Sequence, residues 1–159
     1  MIDHTNFMIR SMQPRDVATV AEIARATMAH SWSQAVFMDC LQGDYHAWVI
    51  QRGKLDVANT IIGFVIVLVQ MEEGQLLKLA VRPRYHRQGI GQRLLTHAMQ
   101  FMQQQKVNKV FLEVRASNHD AIAFYQSMQF DTVAKRKNYY PLGQQREDAV
   151  VMQWQPSNE

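Results

Sequence analysis

The chain has 159 residues, 47% hydrophobic and 19% charged, the composition of one globular domain able to bury a core without staples. One cysteine, Cys40, excludes an intramolecular disulfide and a cysteine-built zinc site, and points to a reducing compartment. Lys plus Arg number 17 against 14 Asp plus Glu, an excess too small to demand nucleic acid as a partner.

The opening MIDHTNFMIRSMQPRD has no apolar run behind a basic start and no small-residue cleavage site, so it does not read as a signal peptide. Residues 7–12 alternate weakly and predict a first strand. Pro14 opens a helical pattern to about Met28, with Val17, Val20, Ile23, Ala24 and Met28 on one side. Ser31 or Ser33 caps a second helix carrying Val36, Phe37, Cys40 and Leu41, stopped by Gly43; Cys40 there reads as core. Strands at 45–51 and 60–70 flank a turn, RGKLDVAN. The run IIGFVIVLV (61–69) is too short to cross a membrane and rich in β-branched residues, so no membrane and a cytoplasmic location are expected. Glu73-Gly74 breaks the pattern, and 75–81 is the next strand. Ile90, Leu94, Leu95, Ala98, Phe101 and Met102 follow helical spacing from Gly89 to Gln105. A buried strand at 109–114 follows, then a helix capped by Asn118 and holding Ile122, Tyr125 and Met128. Closing strands fall at 132–138 and 149–154. The order β-α-α-β-β-β-α-β-α-β-β predicts a mixed α/β domain around one central sheet.

The chemistry is concentrated in LLKLAVRPRYHRQGIGQRLL (76–95), which runs from strand through a basic glycine turn into a helix. Helix N-termini leave N–H groups unpaired and carry partial positive charge, so an anion docks there, and glycine lets a phosphate come close. Arg82, Arg84, Arg87, Arg93 and His86 add positive charge, with no acidic residue between Glu73 and Glu113. The dinucleotide pattern G-x-G-x-x-G fails at Leu94, and no Gly-Lys-Ser/Thr occurs. The spacing leaves two readings, a pyrophosphate cradle or a solvated basic loop capping a helix.

VRPRYHRQGIGQRLL resembles the coenzyme A signature of the GNAT acetyltransferases, with Arg87, Gln88, Gly89, Ile90, Gly91 and Gln92 laid on its Arg/Gln-x-x-Gly-x-Gly/Ala core. LEVRASNHDAIAFYQSMQF (112–130), RKNYYP (136–141), REDAVVM (146–152) and HSWSQAVF (30–37) resemble the ribosomal-protein-alanine N-acetyltransferases of that superfamily, over about residues 7–154. The resemblance implies one GNAT domain whose sheet splays between strands 4 and 5, flanked by about four helices, with acetyl-CoA in the gap and no metal. It implies that Leu79, Ala80 and Val81 hold the pantetheine arm and thioester, that 87–92 hold the pyrophosphate, and that Asn118 contacts the coenzyme. Glu113 is implied as proton acceptor and Tyr125 as proton donor, with Trp32, Ser33, Tyr139 and Tyr140 along a peptide groove. The implied acceptor is the N-terminal alanine of small-subunit ribosomal protein eighteen, whose basic tail calls for acidic groups such as Asp44, Glu147 or Asp148.

These roles meet physical needs. An ammonium has no lone pair, and an α-amine with pKa about 7.7–8.0 is mostly protonated at pH 7, so a base is required. Glu113 sits in an apolar run (Val110, Phe111, Leu112, Val114), where withdrawal from water suits a base; an ion pair with Arg115 is its structural alternative. Tyr125, read alone, is a core tyrosine on a helix stripe, and Asn118 a helix cap. Lys78 and Arg82 depart from the neutral and acidic residues usual beside Leu79–Val81, and Gln129 stands where glycine is usual before Phe130. Acetyl transfer to another amine (a polyamine, a lysine side chain, an antibiotic), a non-catalytic acyl-CoA-binding or ribosome-associated module, and a nucleic-acid binder are the competing readings.

Overall fold

The computed structural model describes residues 6–28, 31–53 and 60–157. Strand β1 (Phe7–Ser11) leads through a 3-10 turn (Pro14–Asp16) into α1 (Val17–Thr27) and α2 (Gln34–Asp39). Three strands follow, β2 (Tyr45–Arg52), β3 (Ile61–Gln70) and β4 (Glu73–Val81). A second 3-10 turn (Pro83–Tyr85) precedes α3 (Ile90–Gln104), β5 (Lys109–Arg115) and α4 (His119–Ser127), and β6 (Asp131–Leu142) and β7 (Gln145–Trp154) close the chain. The element order is the predicted one. Most of the predicted turn RGKLDVAN, from residue 54 to 59, lies outside the described residues.

The seven strands form one sheet in the order β1-β2-β3-β4-β5-β7-β6, antiparallel except where β4 and β5 run parallel. Strand β3 is buried over its first seven residues, because α1 and α2 cover one face of the sheet and α3 the other. One core gathers Val20, Ile23, Phe37, Cys40 and Phe64 under α1 and α2; Cys40 closes α2 and is 3% exposed. The other core places Leu94, Leu95, Ala98 and Met102 of α3 against Val65, Val67 and Val110, with α4 packed beside them through Ile122, Phe124 and Tyr125.

The parallel ladder between β4 and β5 lasts only from Glu73↔Lys109 to Gln75↔Phe111. Beyond it the strands diverge, so residues 76–81 and 112–115 face one another across a gap. Glu73-Gly74 is therefore no break: both residues belong to β4, and the turn is Met71-Glu72, with Met71 at φ +56°. Gly74 serves close packing instead of a turn. A Cβ there meets Met102 Sδ at 2.6 Å and Val107 and Val110 at 3.5 Å, so glycine lets α3 and β5 close onto β4 just before the gap opens.

The closing strands are longer than predicted and meet at Gly143, φ +59°. Strand β6 is exposed along nearly its whole length and has no buried side to leave an alternating pattern. Its register with β7 jumps from Arg136↔Ala149 to Tyr140↔Glu147, around Asn138 at φ +54°. Asp148 Oδ1 accepts from the Asn138 N–H at 3.0 Å, and Arg146 donates to the Asn138 and Tyr139 carbonyls at 2.7 and 2.8 Å.

Helix α4 ends with Gln129 at φ +72°, the Gln129 N–H bonded to Gln126 O and the Phe130 N–H to Tyr125 O. This six-to-one closure wants glycine at the left-handed residue, and a side chain there costs about 1 kcal/mol. Gln129→Gly is expected to stabilise the fold by about 1 kcal/mol and raise Tm by about 2–4 °C, checked by thermal unfolding. An unchanged or lower Tm counts against strain at this position.

Candidate active site

A cleft of about 920 Å³ opens in the gap between β4 and β5. Its walls include Leu79, Ala80 and Val81 of β4, Arg87, Gly89, Ile90, Gly91 and Gln92 around the start of α3, Glu113 of β5, and Asn118 and Tyr125 of α4. Eleven residues singled out in the sequence thus share one cavity. Gln88 is not among its walls: its side-chain NH₂ donates to Arg84 O at 3.3 Å, and its Oε1 is buried without a partner.

Each wall supplies a distinct kind of group. Arg87 at φ +60° and Gly89 at φ +79° curl the loop, and Gly89 caps α3 without any side-chain bond. The first-turn N–H groups at Ile90, Gly91 and Gln92 have no partner within the helix, and their residues line the cleft. Convergent N–H donors at a positive helix end suit a diphosphate. On β4 the Arg82 N–H bonds to Ile62 O of β3 at 2.7 Å, so strand alternation turns the amides of Ala80 toward β3 and those of Leu79 and Val81 toward the gap. His86 also lines the cleft and donates from Nε2 to Val81 O at 2.6 Å, joining the loop to the end of β4.

The four arginines expected around a phosphate do not all reach it. Arg82 is held by Ile61 O at 2.9 Å and Glu22 at 3.4 Å, Arg93 donates to Phe7 O at 3.4 Å, and Arg84 lies over the Tyr85 ring at 5.9 Å. Only Arg87 of the four lines the cleft. Carbonyl acceptors and an aromatic face satisfy the other three locally, a use that charge counting cannot see.

Glu113 lies on the half-exposed face of β5, while Val110, Leu112 and Val114 point into the core. It is therefore not enclosed in the apolar surroundings expected from its neighbours in sequence. Arg136 of β6 reaches across β7 to bond its Oε1 at 2.9 Å, and the Tyr139 phenol donates to it. Arg115 is not its partner, being bonded to Glu147 at 3.0 Å and stacked on Tyr140 at 4.7 Å. That hydrogen bond to Glu113 is the main reason the Tyr139 hydroxyl is pushed above the usual tyrosine range. The irregular step in β6 thus brings Tyr139 to Glu113, with Tyr140 packed at 5.0 Å.

Tyr125 is packed between Phe124 at 5.3 Å and Phe130 at 5.9 Å, and burial pushes its hydroxyl up to about 12, with Tyr140 adding to the shift. Tyr140 is pushed up to about 12 as well, by burial and then by the Glu113 charge. The Asn118 side chain accepts from the Ala121 N–H at 3.2 Å, so it caps α4 and lines the cleft together.

Trp32 and Ser33 stand apart from these groups. Ser33 caps α2, its Oγ accepting from the Val36 N–H at 3.4 Å, and Trp32 packs on Phe37 at 5.5 Å. Of the acids expected to meet a basic tail, Glu147 is held by Arg115 and Ser117, and Asp148 by Asn138. Sequence reasoning missed Met28, Asp120 and Phe124 as cleft walls and Arg136 as the partner of Glu113. Phe124 adjoins a motif residue, which was the available signal; Arg136 left none, because its contact spans two strands.

Among the described residues no helix is long and apolar enough to cross a membrane. The model of the acetyltransferase (GNAT) family matches residues 17–130. A curated relative, the [ribosomal protein bS18]-alanine N-acetyltransferase of Escherichia coli strain K12, is 36% identical over 146 residues, covering 91% of this chain and 94% of that protein. The crystal structure of the ribosomal-protein-S18-alanine N-acetyltransferase from Escherichia coli superposes with a TM-score of 0.85 at 33% identity, over 96% of each chain. Ard1 from Thermoplasma volcanium superposes with a TM-score of 0.82 at 27% identity, over 96% of this chain and 99% of that one. With its splayed sheet, its glycine loop and these matches, the chain belongs to the GNAT acetyltransferase family, among the ribosomal-protein-alanine N-acetyltransferases.

Proposed function

We propose that this protein transfers the acetyl group of acetyl-CoA to the N-terminal α-amine of a protein, with the N-terminal alanine of ribosomal protein bS18 as acceptor. One observation carries the reading: the loop amides, the open edge of β4, Glu113 and Tyr125 all line one cleft. Likeness to enzymes named for bS18-alanine acetylation supports the acceptor.

Acetyl-CoA supplies an already activated thioester, so the protein must bind, orient and move protons. The 87–92 loop binds the diphosphate through backbone N–H groups, and the amides of Leu79 and Val81 pair with the pantetheine arm. Glu113 takes a proton from the acceptor ammonium, and the freed amine attacks the thioester carbon. As charge builds on the thioester oxygen, the Val81 N–H is the donor turned to the gap; Ala80 is not. The carbon–sulfur bond then breaks, the Tyr125 hydroxyl hands its proton to the departing sulfur, and the proton that the new amide nitrogen sheds restores that hydroxyl by way of solvent.

The test is mass spectrometry of an alanine-started bS18 peptide incubated with acetyl-CoA, beside the same peptide with its N-terminus blocked. A single acetyl on the free peptide and none on the blocked one is expected. Equal labelling of both overturns N-terminal transfer and moves the reaction to side-chain amines.

A further inference from the structure

A cation on the opposite side of the gap from α3 and α4 has no part in the steps above. The ladder between β3 and β4 passes from Ile66↔Lys78 to Val67↔Leu76, leaving Leu77 as an extra residue on β4. The bulge puts both Leu77 and Lys78 on the face that packs against α1, α2 and Trp32. Glu113 also lies off the face that β5 packs against α3 and α4.

Lys78 Nζ stands 4.8 Å from the centre of the Trp32 ring. No described carboxylate lies within ion-pair distance of it, and no described oxygen accepts a hydrogen bond from it. Burial alone lowers its pKa from the ordinary lysine value. A half-buried ammonium on an indole with three unused N–H donors is incomplete by itself, and an incoming carboxylate completes it. Of the other charges here, Glu147 and Asp148 are engaged within the fold, and Arg136 is paired with Glu113, which leaves Lys78 as the cation without a carboxylate among these described residues.

Spacing sets the acceptor position. Lys78 lies three residues before Val81, about 10 Å along an extended strand from the N–H that faces the thioester. In an extended acceptor the second and third residues lie about 3.5–7 Å beyond the first, and an acidic side chain covers the remaining distance. Resting on the acetyl-transfer reading, we propose that Lys78, seated on Trp32, selects acceptors with Asp or Glu at their second or third residue, a class beyond the ribosomal substrate.

The experiment uses alanine-started peptides differing only in Glu or Lys at position two or three, with saturating acetyl-CoA. The readout is the Glu-to-Lys ratio of kcat/KM within each enzyme, which cancels any general loss of activity. The wild-type ratio is expected to be about tenfold at one of the two positions and to shrink with salt. Lys78→Gln should bring the ratio near one, and Lys78→Glu should turn it over. A ratio unchanged between wild type and Lys78→Glu, with peptides still acetylated, overturns the role of Lys78 alone. Absence of acetylation on every peptide by every enzyme overturns the acetyl-transfer reading and this inference with it.

Discussion

Glu113→Gln is expected to lower kcat/KM for an alanine-started peptide by about 10²–10⁴-fold at pH 7, the span that a positioned general base contributes. The KM for acetyl-CoA should stay unchanged, because the amides at 87–92 and on β4, the groups we propose for the coenzyme, are untouched. The substitution keeps side-chain size and leaves an exposed arginine, Arg136, without its ion pair, an arrangement worth little to folding. Thermal unfolding should therefore show a folded variant. The pH dependence separates a base from a mere anchor for Arg136 and Tyr139. A base is needed while the acceptor arrives as an ammonium, and an α-amine titrates near pH 7.7–8.0. The deficit of the variant should shrink markedly between pH 7 and pH 9.5, where the amine arrives already neutral. A deficit constant across that range means that Glu113 acts only by positioning its neighbours.

What the sequence makes legible follows contiguity. The glycine loop at 87–92 occupies consecutive residues between a strand and a helix, so its position is plain from the sequence, while its reading as a diphosphate cradle needs the family resemblance. The element order is legible for the same reason, since most strands and helices carry their own periodicity, the exposed β6 excepted. Glu113 and Tyr125 are legible only through the family blocks around them, because a carboxylate on a strand and a tyrosine on a helix have ordinary structural uses. Contacts between distant segments are not legible. The reach of Arg136 over β7, the seat of Lys78 on Trp32, and the engagement of Arg82, Arg84 and Arg93 depend on tertiary placement. Bulges hide most completely. One extra residue at Leu77, and the uneven step between Arg136 and Tyr140, each turn side chains to a different face without altering the composition of the strand.

Tyr125→Phe is expected to lower kcat by about 10–10²-fold with little change in either KM, the lower part of the range for general acid catalysis. The loss stays modest because a thiol, with a pKa near 8.5 in cysteine, leaves tolerably without help. Since burial pushes the Tyr125 hydroxyl up to about 12, the donor keeps its proton through the whole working range. Wild-type kcat should then show no decline attributable to this group between pH 8 and pH 11. The same shift has a stability signature. An unfolded tyrosine loses its proton near pH 10, the folded one near pH 12, so between those values the unfolded state binds fewer protons. Stability is full below pH 10 and falls as pH rises toward 12, with a limiting slope of about 1.4 kcal/mol per pH unit from this group. Urea unfolding at pH 9.5, 10.5 and 11.5 should show wild type losing stability faster than Tyr125→Phe, which has no proton to lose at that position. Parallel curves for the two proteins mean an exposed hydroxyl. A hydroxyl exposed in that way does not sit where the departing sulfur needs it, and the proton must then come from solvent.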